Sequence, residues 1–263
     1  MIKIAVFDID GTLYDERKNV YYPSSVIALN KLQEKGIKVA AATGRPPAAL
    51  KSLILAGVHP DYLICSNGHI VMDNHYNYIA SEVFSGQLAD EVYRYCMERD
   101  IGLLWKYPDK TYVYINSAEF DKIFVKSKEM DAAIEYGDKR IHFARGANGG
   151  CIACDHWEMR RFNSHFEGSC ACVDINGLAA DLVLYGISKK HGLAKLLADI
   201  KTDRGECIAF GDNLNDLELI EYAGIGVCMG NGAAELKKRC DYVTSDIDKD
   251  GIYNGLRHYR LLD

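Results

Sequence analysis

The sequence lacks several features that mark whole classes of protein. Its 31 Lys and Arg residues form no basic run, and the net charge is -6. Because binding to a phosphate backbone depends on clustered cations, a nucleic-acid partner is disfavoured. No apolar stretch reaches the ~18 residues of a membrane span, and no secretory signal precedes the first strand. We therefore expect a soluble, cytoplasmic monomer or homodimer with no membrane partner.

Cysteine is abundant, but its number, nine, is odd. Without a secretory signal, free thiols are the first expectation. The alternative is a zinc site, with candidate ligands Cys151, Cys154, His156, His165, Cys170 and Cys172. The first two cysteines are spaced as in a zinc knuckle, whereas the last two are spaced so that both lie on one face of a strand. We expect structural thiols and keep zinc as the weaker alternative.

Buried strands and amphipathic helices alternate in the first part of the chain. Apolar runs without polar alternation predict strands of a parallel sheet at residues 4–7, 37–42 and 62–65. Helices are predicted from Pro23 to Gly36 and from Pro46 to Gly57, where proline suits the first turn and glycine the end. Residues 69–79 alternate loosely, which indicates a hairpin.

The pattern changes in the middle of the chain and then returns. Residues 84–185 combine helices near 88–96 and 119–134 with paired strands, including a hairpin at Asn176-Gly177. From residue 187 a helix and the strands 207–210, 225–229 and 242–243 resume the first style. The predicted fold is therefore α/β, a doubly wound, mainly parallel, Rossmann-like core with an inserted α+β domain. The core comprises residues 1–83 and 186–263, and the insertion comprises residues 84–185.

Two acids follow the first predicted strand. Asp8 and Asp10 are one residue apart, and Gly11 and Thr12 then supply a sharp turn and a hydroxyl group. Ligands of open α/β sheets bind beyond the carboxyl ends of the strands. Paired carboxylates repel one another there, and a hard cation such as Mg²⁺ would reconcile them. The alternative is a solvated turn after an ordinary strand.

Further polar groups follow other strands or begin a helix. They are Thr43 with Gly44, Lys189, and the segment with Asp212, Asn215 and Asp216. Taken singly, each has a plain alternative: a helix cap, a solvated lysine, and an acid in the first turn of a helix. Taken together, carboxylates, a hydroxyl, an amide and an ammonium indicate a site for Mg²⁺ and a phosphoryl group.

Five segments carry a resemblance to a known family. They are Phe-Asp-Ile-Asp-Gly-Thr at 7–12, Ala-Thr-Gly-Arg-Pro at 42–46, Ser-Asn-Gly at 66–68, Gly-Ile-Ser-Lys at 186–189 and Gly-Asp-Asn-Leu-Asn-Asp at 211–216. In this order the chain resembles haloacid dehalogenase-like hydrolases, in particular Cof-type sugar phosphatases with a large α/β cap. The insertion at 84–185 lies where that family has its cap, which in relatives closes over the substrate and selects it.

The resemblance implies a division of labour between two acids. Asp8 would be the nucleophile that becomes a phosphoaspartate, and it would also bind Mg²⁺. Asp10 would protonate the leaving oxygen, activate water and offer the metal its backbone carbonyl. Such a pair needs pKa values that are driven apart, as neighbouring charges and a metal can do. Dehalogenases of the superfamily lack the second acid, so Asp10 favours phosphate chemistry.

The resemblance also implies the binding residues. Thr43 and the Gly44 amide would hold the phosphoryl oxygens, and Asn215 would contact the phosphate. Lys189 would pair with the phosphate and the nucleophile. Asp212 would be the other protein ligand of the metal, supported by Asp216. One departure from the family pattern is Lys190 where glycine usually follows the lysine, which leaves open which lysine does the work; we expect Lys189.

The expected function is that of a Mg²⁺-dependent phosphatase acting on a small phosphorylated metabolite, most plausibly a sugar phosphate. Two alternatives stay open: a phosphohexomutase of the same superfamily, and a non-catalytic regulatory module that binds metal and phosphate. Residues of the insertion that could line a sugar-phosphate pocket are Trp105, Tyr112, Tyr114, His156, Trp157, Arg160 and Arg161. For such residues packing or surface exposure is the favoured role.

Overall fold

A computed structural model describes residues 1–50, 53, 56–116, 118–120, 134–136, 140–175 and 177–263. The described chain forms two compact units. The first comprises Met1–Thr43, Ser52–Ala80 and Ser188–Asp263, and the second comprises Gly44–Lys51 and Ser81–Ile187. The assignment of 1–83 with 186–263 as core and 84–185 as insertion stays a prediction. Among the described residues, no helix is both long and apolar enough to cross a membrane.

The largest sheet contains eight strands. In chain order they are β1 (Ile4–Asp8), β4 (Lys38–Ala42), β5 (Tyr62–Cys65), β6 (Ile70–Asp73), β7 (Tyr78–Ser81), β14 (Cys207–Gly211), β15 (Ile225–Cys228) and β16 (Tyr242–Val243). In the chain, β1 is followed by a separate short antiparallel ribbon of β2 (Tyr14–Asp15) and β3 (Val20–Tyr21), which precedes β4. The spatial order is β16-β15-β14-β1-β4-β5-β6-β7. The strands from β16 to β5 run parallel, and β6 is antiparallel to β5.

This arrangement confirms the predicted α/β class. Every residue of β1 is buried, because the strand lies between β14 and β4 with helices of the same unit nearby. The helices of the first unit are α1 (Pro23–Glu34), α5 (Lys189–Asp199), α6 (Leu217–Tyr222), α7 (Ala234–Lys237) and α8 (Gly251–His258). Helix α5 packs closely at Gly192, where a Cβ atom would lie 2.5 Å from the side chain of Ile64.

The second unit contains a six-stranded sheet of its own. Its strands are β8 (Gly102–Lys106), β9 (Thr111–Ile115), β10 (Ile134–Tyr136), β11 (Gly150–Ala153), β12 (Cys170–Asp174) and β13 (Ala179–Leu184), in the order β10-β9-β8-β11-β13-β12. Its helices are α2 (Gly86–Glu98), α3 (Ile141–Ala144) and α4 (His156–His165). The side chains of Ser85 and Asp155 cap α2 and α4. Trp105 and Phe162 belong to one buried core in this unit.

Several local predictions can be compared with the described residues. The hairpin expected at 69–79 is present as β6 and β7. The helix expected after Pro46 begins as a 3-10 turn at Pro47–Ala49, and most of its continuation at 51–55 lies outside the described residues. Of the helix expected near 119–134, residues 121–133 lie outside them too, and Ile134 starts a strand. Asn176 of the predicted turn is also not described.

The sequence does not predict that residues 44–51 group with the second unit. By its contacts this segment belongs to the second unit, although it directly follows β4 of the first. The backbone N–H of Ala48 donates to the carbonyl of Pro108 at 3.0 Å. Such a contact joins residues sixty positions apart, and no local pattern reports it.

We expect the aromatic stack at the centre of the first sheet to be essential for stability. The rings of Phe7 and Phe210 are fully buried and stack with centroids 5.0 Å apart. Phe210→Ala should lower the free energy of unfolding by about 3–5 kcal/mol through lost burial and a cavity. In the same sheet, Tyr78→Ala removes a half-exposed ring. It should cost less than about 1 kcal/mol. Chemical denaturation measures both, and equal losses would contradict this packing.

Candidate active site

The first sheet delivers Asp8 as the last residue of its buried strand β1. Asp8 is 4% exposed. The chain turns at Gly11, whose φ is +84° and where a Cβ atom would lie 2.2 Å from Oδ2 of Asp212. Only glycine fits this position, because it tolerates positive φ and carries no Cβ. The next residue, Thr12, donates from its hydroxyl to Oδ1 of Asp212 at 3.2 Å. The turn after β1 is therefore shaped around Asp212.

The turn after β14 presents Asp212 and Asp216 beside this loop. The Oδ2 atom of Asp216 accepts hydrogen bonds from the backbone N–H of Asp212 at 3.0 Å and of Asn213 at 3.1 Å. At Gly211 a Cβ atom would lie 2.6 Å from the Cβ of Asp216. The close approach allowed by glycine lets the fully buried Asp216 hold the turn in place.

Helix α5 begins with the lysine that joins these acids. Lys189 is 1% exposed, and its Nζ donates to Oδ1 of Asp8 at 2.5 Å and to Oδ1 of Asp216 at 2.6 Å. The neighbouring Lys190 is exposed to solvent. The two adjacent lysines therefore have different surroundings, because only Lys189 points towards the aspartates. This geometry supports the expectation that Lys189, and not Lys190, pairs with Asp8.

The electrostatics of the cluster follow from its burial. Burial raises the pKa of Asp8 well above its usual value, and the nearby Asp216, Asp212 and Asp10 raise it further against the opposing effect of Lys189. Burial, followed by repulsion from Asp216, raises the pKa of Asp212 to about 7. Burial alone would lower the pKa of Lys189, but the carboxylates of Asp216 and Asp8 raise it. The acids thus have more negative charge than the lysine can balance.

A divalent cation fits this cluster. One carboxylate oxygen each from Asp8, Asp212 and Asp216 lie within 4.8 Å of one another. Carboxylate oxygens are the ligands that hard divalent cations prefer. The oxygens of Asp216 already accept hydrogen bonds from Lys189 and two backbone amides. Asp8 and Asp212 are therefore better suited as direct ligands, with Asp216 as support.

A strained turn directly after β5 contacts both the residue that follows β4 and the residue that precedes α5. Ser66, Asn67 and Gly68 have φ values of +49°, +54° and +93°, three left-handed residues in succession. The backbone N–H of Asn67 donates to the carbonyl of Thr43 at 2.9 Å. At Gly68 a Cβ atom would lie 2.1 Å from the carbonyl oxygen of Ser188. The turn thus fixes Thr43, at the end of β4, and the residue that precedes Lys189.

The remaining expected site residues occupy three places. Asp10 is half-buried and lies two residues after β1, and its charge contributes to the raised pKa of Asp8. Asn215 is half-buried in the 3-10 turn Leu214–Asp216 after β14. Gly44 follows Thr43 in the chain but belongs by its contacts to the second unit. Hydrogen bonds therefore bring Asp8, Lys189, Asp212 and Asp216 together. The roles of all the expected site residues stay predictions.

One residue of the site was not expected from the sequence. The side-chain amide of Asn231 donates to the carbonyl of Gly11 at 2.8 Å, and its Oδ1 accepts from the backbone N–H of Ile247 at 2.8 Å. Asn231 therefore braces the loop that faces Asp212. The available signal was the segment Gly230-Asn231-Gly232, a polar turn that closely follows a buried parallel strand.

The residues once considered for a sugar pocket or zinc site have other surroundings. Trp105, Tyr112 and Tyr114 are buried in the core of the second unit, whereas Trp157 is 70% exposed. All nine cysteines are free. Burial raises the pKa of the thiols of Cys170 and Cys172 to about 12, which disfavours the thiolates that bind zinc. In the described part of the chain, the aspartate cluster is the only group of metal-ligating residues.

Comparison with known families agrees with this geometry. A family model for haloacid dehalogenase-like hydrolases matches residues 5–256. The chain belongs to this family. The matched range includes both segments that carry the aspartates. The match confirms the resemblance that the sequence motifs indicate.

Relatives across the whole length are named as phosphatases. YkrA of Bacillus subtilis, named as a phosphatase, is 29% identical over 99% of this chain and 98% of its own. The HMP-PP phosphatase of Yersinia pseudotuberculosis is 25% identical over 98% of this chain and 96% of its own. Among solved structures, the phosphatase BT1666 from Bacteroides thetaiotaomicron has a TM-score of 0.90 at 26% identity, covering 100% of this chain and 96% of that one. These relatives support the expected enzyme class, a phosphatase.

Two adjacent lysines offer a matched test of the cluster. Lys189→Met leaves Asp8 and Asp216 buried without their cation, so we expect a loss of about 3–5 kcal/mol in the free energy of unfolding. Phosphatase activity should fall at least about 100-fold. Lys190→Met, on the exposed neighbour, should change neither quantity measurably. Similar effects of the two substitutions, followed by denaturation and phosphate release, would contradict the assigned contacts.

The raised pKa of Asp212 predicts a pH dependence of stability in protein freed of divalent cations. Because the folded protein binds this proton more tightly than the unfolded chain, the stabilisation is full near pH 4 and is lost as pH rises towards 7. Relative to Asp212→Asn, wild-type Tm should therefore fall by several degrees between pH 5 and pH 8, at about 2–4 °C per kcal/mol. Parallel pH profiles of the two proteins would exclude this ionisation.

Proposed function

We propose that this protein is a Mg²⁺-dependent phosphatase that hydrolyses a small phosphorylated metabolite through a phosphoaspartate on Asp8. The observation that carries the proposal is the contact of the Lys189 ammonium with both Asp8 and Asp216, beside Asp212. A buried carboxylate that is hydrogen-bonded to a buried cation is held in one orientation at the end of its strand. Structural stability alone gives no reason to gather three acids there.

The nucleophile is Asp8. The Lys189 ammonium opposes the rise in the pKa of Asp8 that burial causes, and a bound cation would oppose it further. The ionised carboxylate then attacks phosphorus in line. The same ammonium balances negative charge on the phosphoryl group as the new bond forms. Water attack on the resulting acyl phosphate then releases inorganic phosphate and regenerates Asp8.

Asp10 is the general acid and base. It is only half-buried, and it follows Asp8 by two residues, close enough for its charge to affect the pKa of Asp8. In the first step it gives its proton to the leaving oxygen. In the second step its carboxylate takes a proton from the attacking water, which restores the starting state.

The metal ligands are the carboxylates of Asp8 and Asp212 and the backbone carbonyl of Asp10. Bound Mg²⁺ would neutralise charge on the phosphoryl oxygens. Asp216 positions Asp212 through the backbone hydrogen bonds of the turn. Gly11 leaves the space that Asp212 occupies.

The phosphoryl group is held by the hydroxyl of Thr43, the amide of Gly44, the ammonium of Lys189 and the side chain of Asn215. Thr43, Asp212 and Asn215 follow parallel strands of one sheet, and Asp8 is the last residue of another strand of that sheet. The carboxyl ends of such strands form the binding edge of an α/β sheet. The second unit, which contains the predicted cap, selects the substrate.

The substrate class is a small phosphate ester or anhydride of a metabolite, with a sugar phosphate as the first choice. The relatives YcsE of Bacillus subtilis and HMP-PP phosphatase bear names of small phosphorylated compounds. YcsE is named for 5-amino-6-(5-phospho-D-ribitylamino)uracil, a compound with a phosphorylated sugar-alcohol chain. The nine free thiols fit a reducing, cytoplasmic location.

The two acids can be tested separately with p-nitrophenyl phosphate and a panel of sugar phosphates. Asp8→Asn should lower kcat by at least about 10⁴-fold, because the nucleophile is lost. Asp10→Asn should lower turnover by about 10²–10⁴-fold. With p-nitrophenyl phosphate, whose leaving group needs no protonation, it should also let the phosphoenzyme accumulate. Asp199→Asn, at the exposed far end of α5, is the matched control and should retain wild-type activity. Phosphate release in each case is measured with Mg²⁺ and with excess chelator.

Two outcomes would overturn the proposal. If Asp8→Asn retains wild-type turnover, the reaction does not pass through this carboxylate. If chelation leaves the activity of the wild-type protein unchanged, the aspartate cluster is not a functional metal site.

A further inference from the structure

A second buried lysine lies in the second unit, away from the aspartate cluster in sequence. Lys106 ends β8 and is 8% exposed, and its Nζ lies 2.5 Å from Oδ1 of Asp181 in β13, which is 6% exposed. Burying such a pair costs desolvation of both charges. An apolar pair of similar volume would serve packing equally well, so the charges require another explanation.

The ammonium of Lys106 has another partner within the same unit. It donates to the backbone carbonyl oxygen of Gly44 at 2.9 Å. The chain is fixed again four residues later, where the N–H of Ala48 donates to the carbonyl of Pro108 at 3.0 Å. The turn that follows β8 therefore holds the segment 44–48 at two points.

The position of this hydrogen bond matters because of the residue that accepts it. Gly44 has more backbone freedom than any residue with a side chain. Its carbonyl and its amide flank one pair of φ and ψ angles, so a fixed carbonyl limits the directions in which the N–H can point. The amide of Gly44 is the group assigned above to the phosphoryl oxygens.

We propose that Lys106 is a positioning residue for phosphate binding: it holds the Gly44 carbonyl so that the Gly44 amide is oriented before the substrate arrives. The contact with Asp181 holds the Lys106 side chain in place against Gly44. This inference rests on the proposed function, since it assumes that the Gly44 amide binds phosphate.

The test uses Lys106→Met and the double variant Lys106→Met/Asp181→Leu in the full chain. The single variant removes the ammonium that the buried Asp181 contacts, so it should lower the Tm as well as phosphate affinity. The double variant removes both charges and should recover most of the lost Tm. In both variants the Ki of inorganic phosphate against p-nitrophenyl phosphate should rise about tenfold, as expected for the loss of a charge-assisted hydrogen bond.

Lys110→Met, which removes a partly exposed partner of Glu135 in the same unit, is the control and should leave the Ki unchanged. A double variant with recovered Tm and wild-type Ki would show that Lys106 serves packing alone and would overturn the inference. Lys106→Arg, which keeps charge and donors, should hold the Ki within about threefold of wild type. Turnover of Asp8→Asn tests the proposed function separately, because that measurement does not involve Lys106. Wild-type turnover in Asp8→Asn would overturn the proposed function, whereas an unchanged Ki in the double variant would overturn only the role of Lys106.

Discussion

One ammonium group shared between two buried carboxylates is the constraint on which the site depends. Lys189 contacts Asp8 from the end of β1 and Asp216 from the turn after β14, so a single side chain fixes the spacing of two strand ends. Burial, followed by repulsion from Asp216, raises the pKa of both Asp8 and Asp212. A divalent cation would supply further positive charge at such a site.

The backbone bears a cost for this arrangement. Each left-handed residue other than glycine costs roughly 1–2 kcal/mol, and Ser66 and Asn67 adopt that conformation in succession. Gly68 and Gly11 allow approaches that any Cβ atom would prevent, to Ser188 and to Asp212. Strained turns of this kind concentrate at functional sites, where the surrounding structure compensates for them. Here the strained turn hydrogen-bonds to Thr43 and packs against Ser188, so it holds both residues in place.

Much of the fold and part of the site could be predicted from the sequence. Buried parallel strands have unbroken apolar runs, so β1, β5 and β14 were recognisable, and the acids at the ends of β1 and β14 were recognisable as a group. Other features depend on contacts distant in sequence. Adjacent lysines have the same chemistry, and only the direction of the first turn of α5 distinguishes Lys189. The brace at Asn231 and the grouping of residues 44–51 with the second unit leave no periodic signal.

The most direct test of the central claim is to identify the residue that becomes phosphorylated. A single turnover quenched in acid, followed by borohydride reduction and peptide mass analysis, converts an aspartyl phosphate to homoserine at its position. We expect homoserine at Asp8 alone, with a larger yield in Asp10→Asn because water attack is slowed. Homoserine at another aspartate, or full turnover with none formed at any time point, would contradict the account.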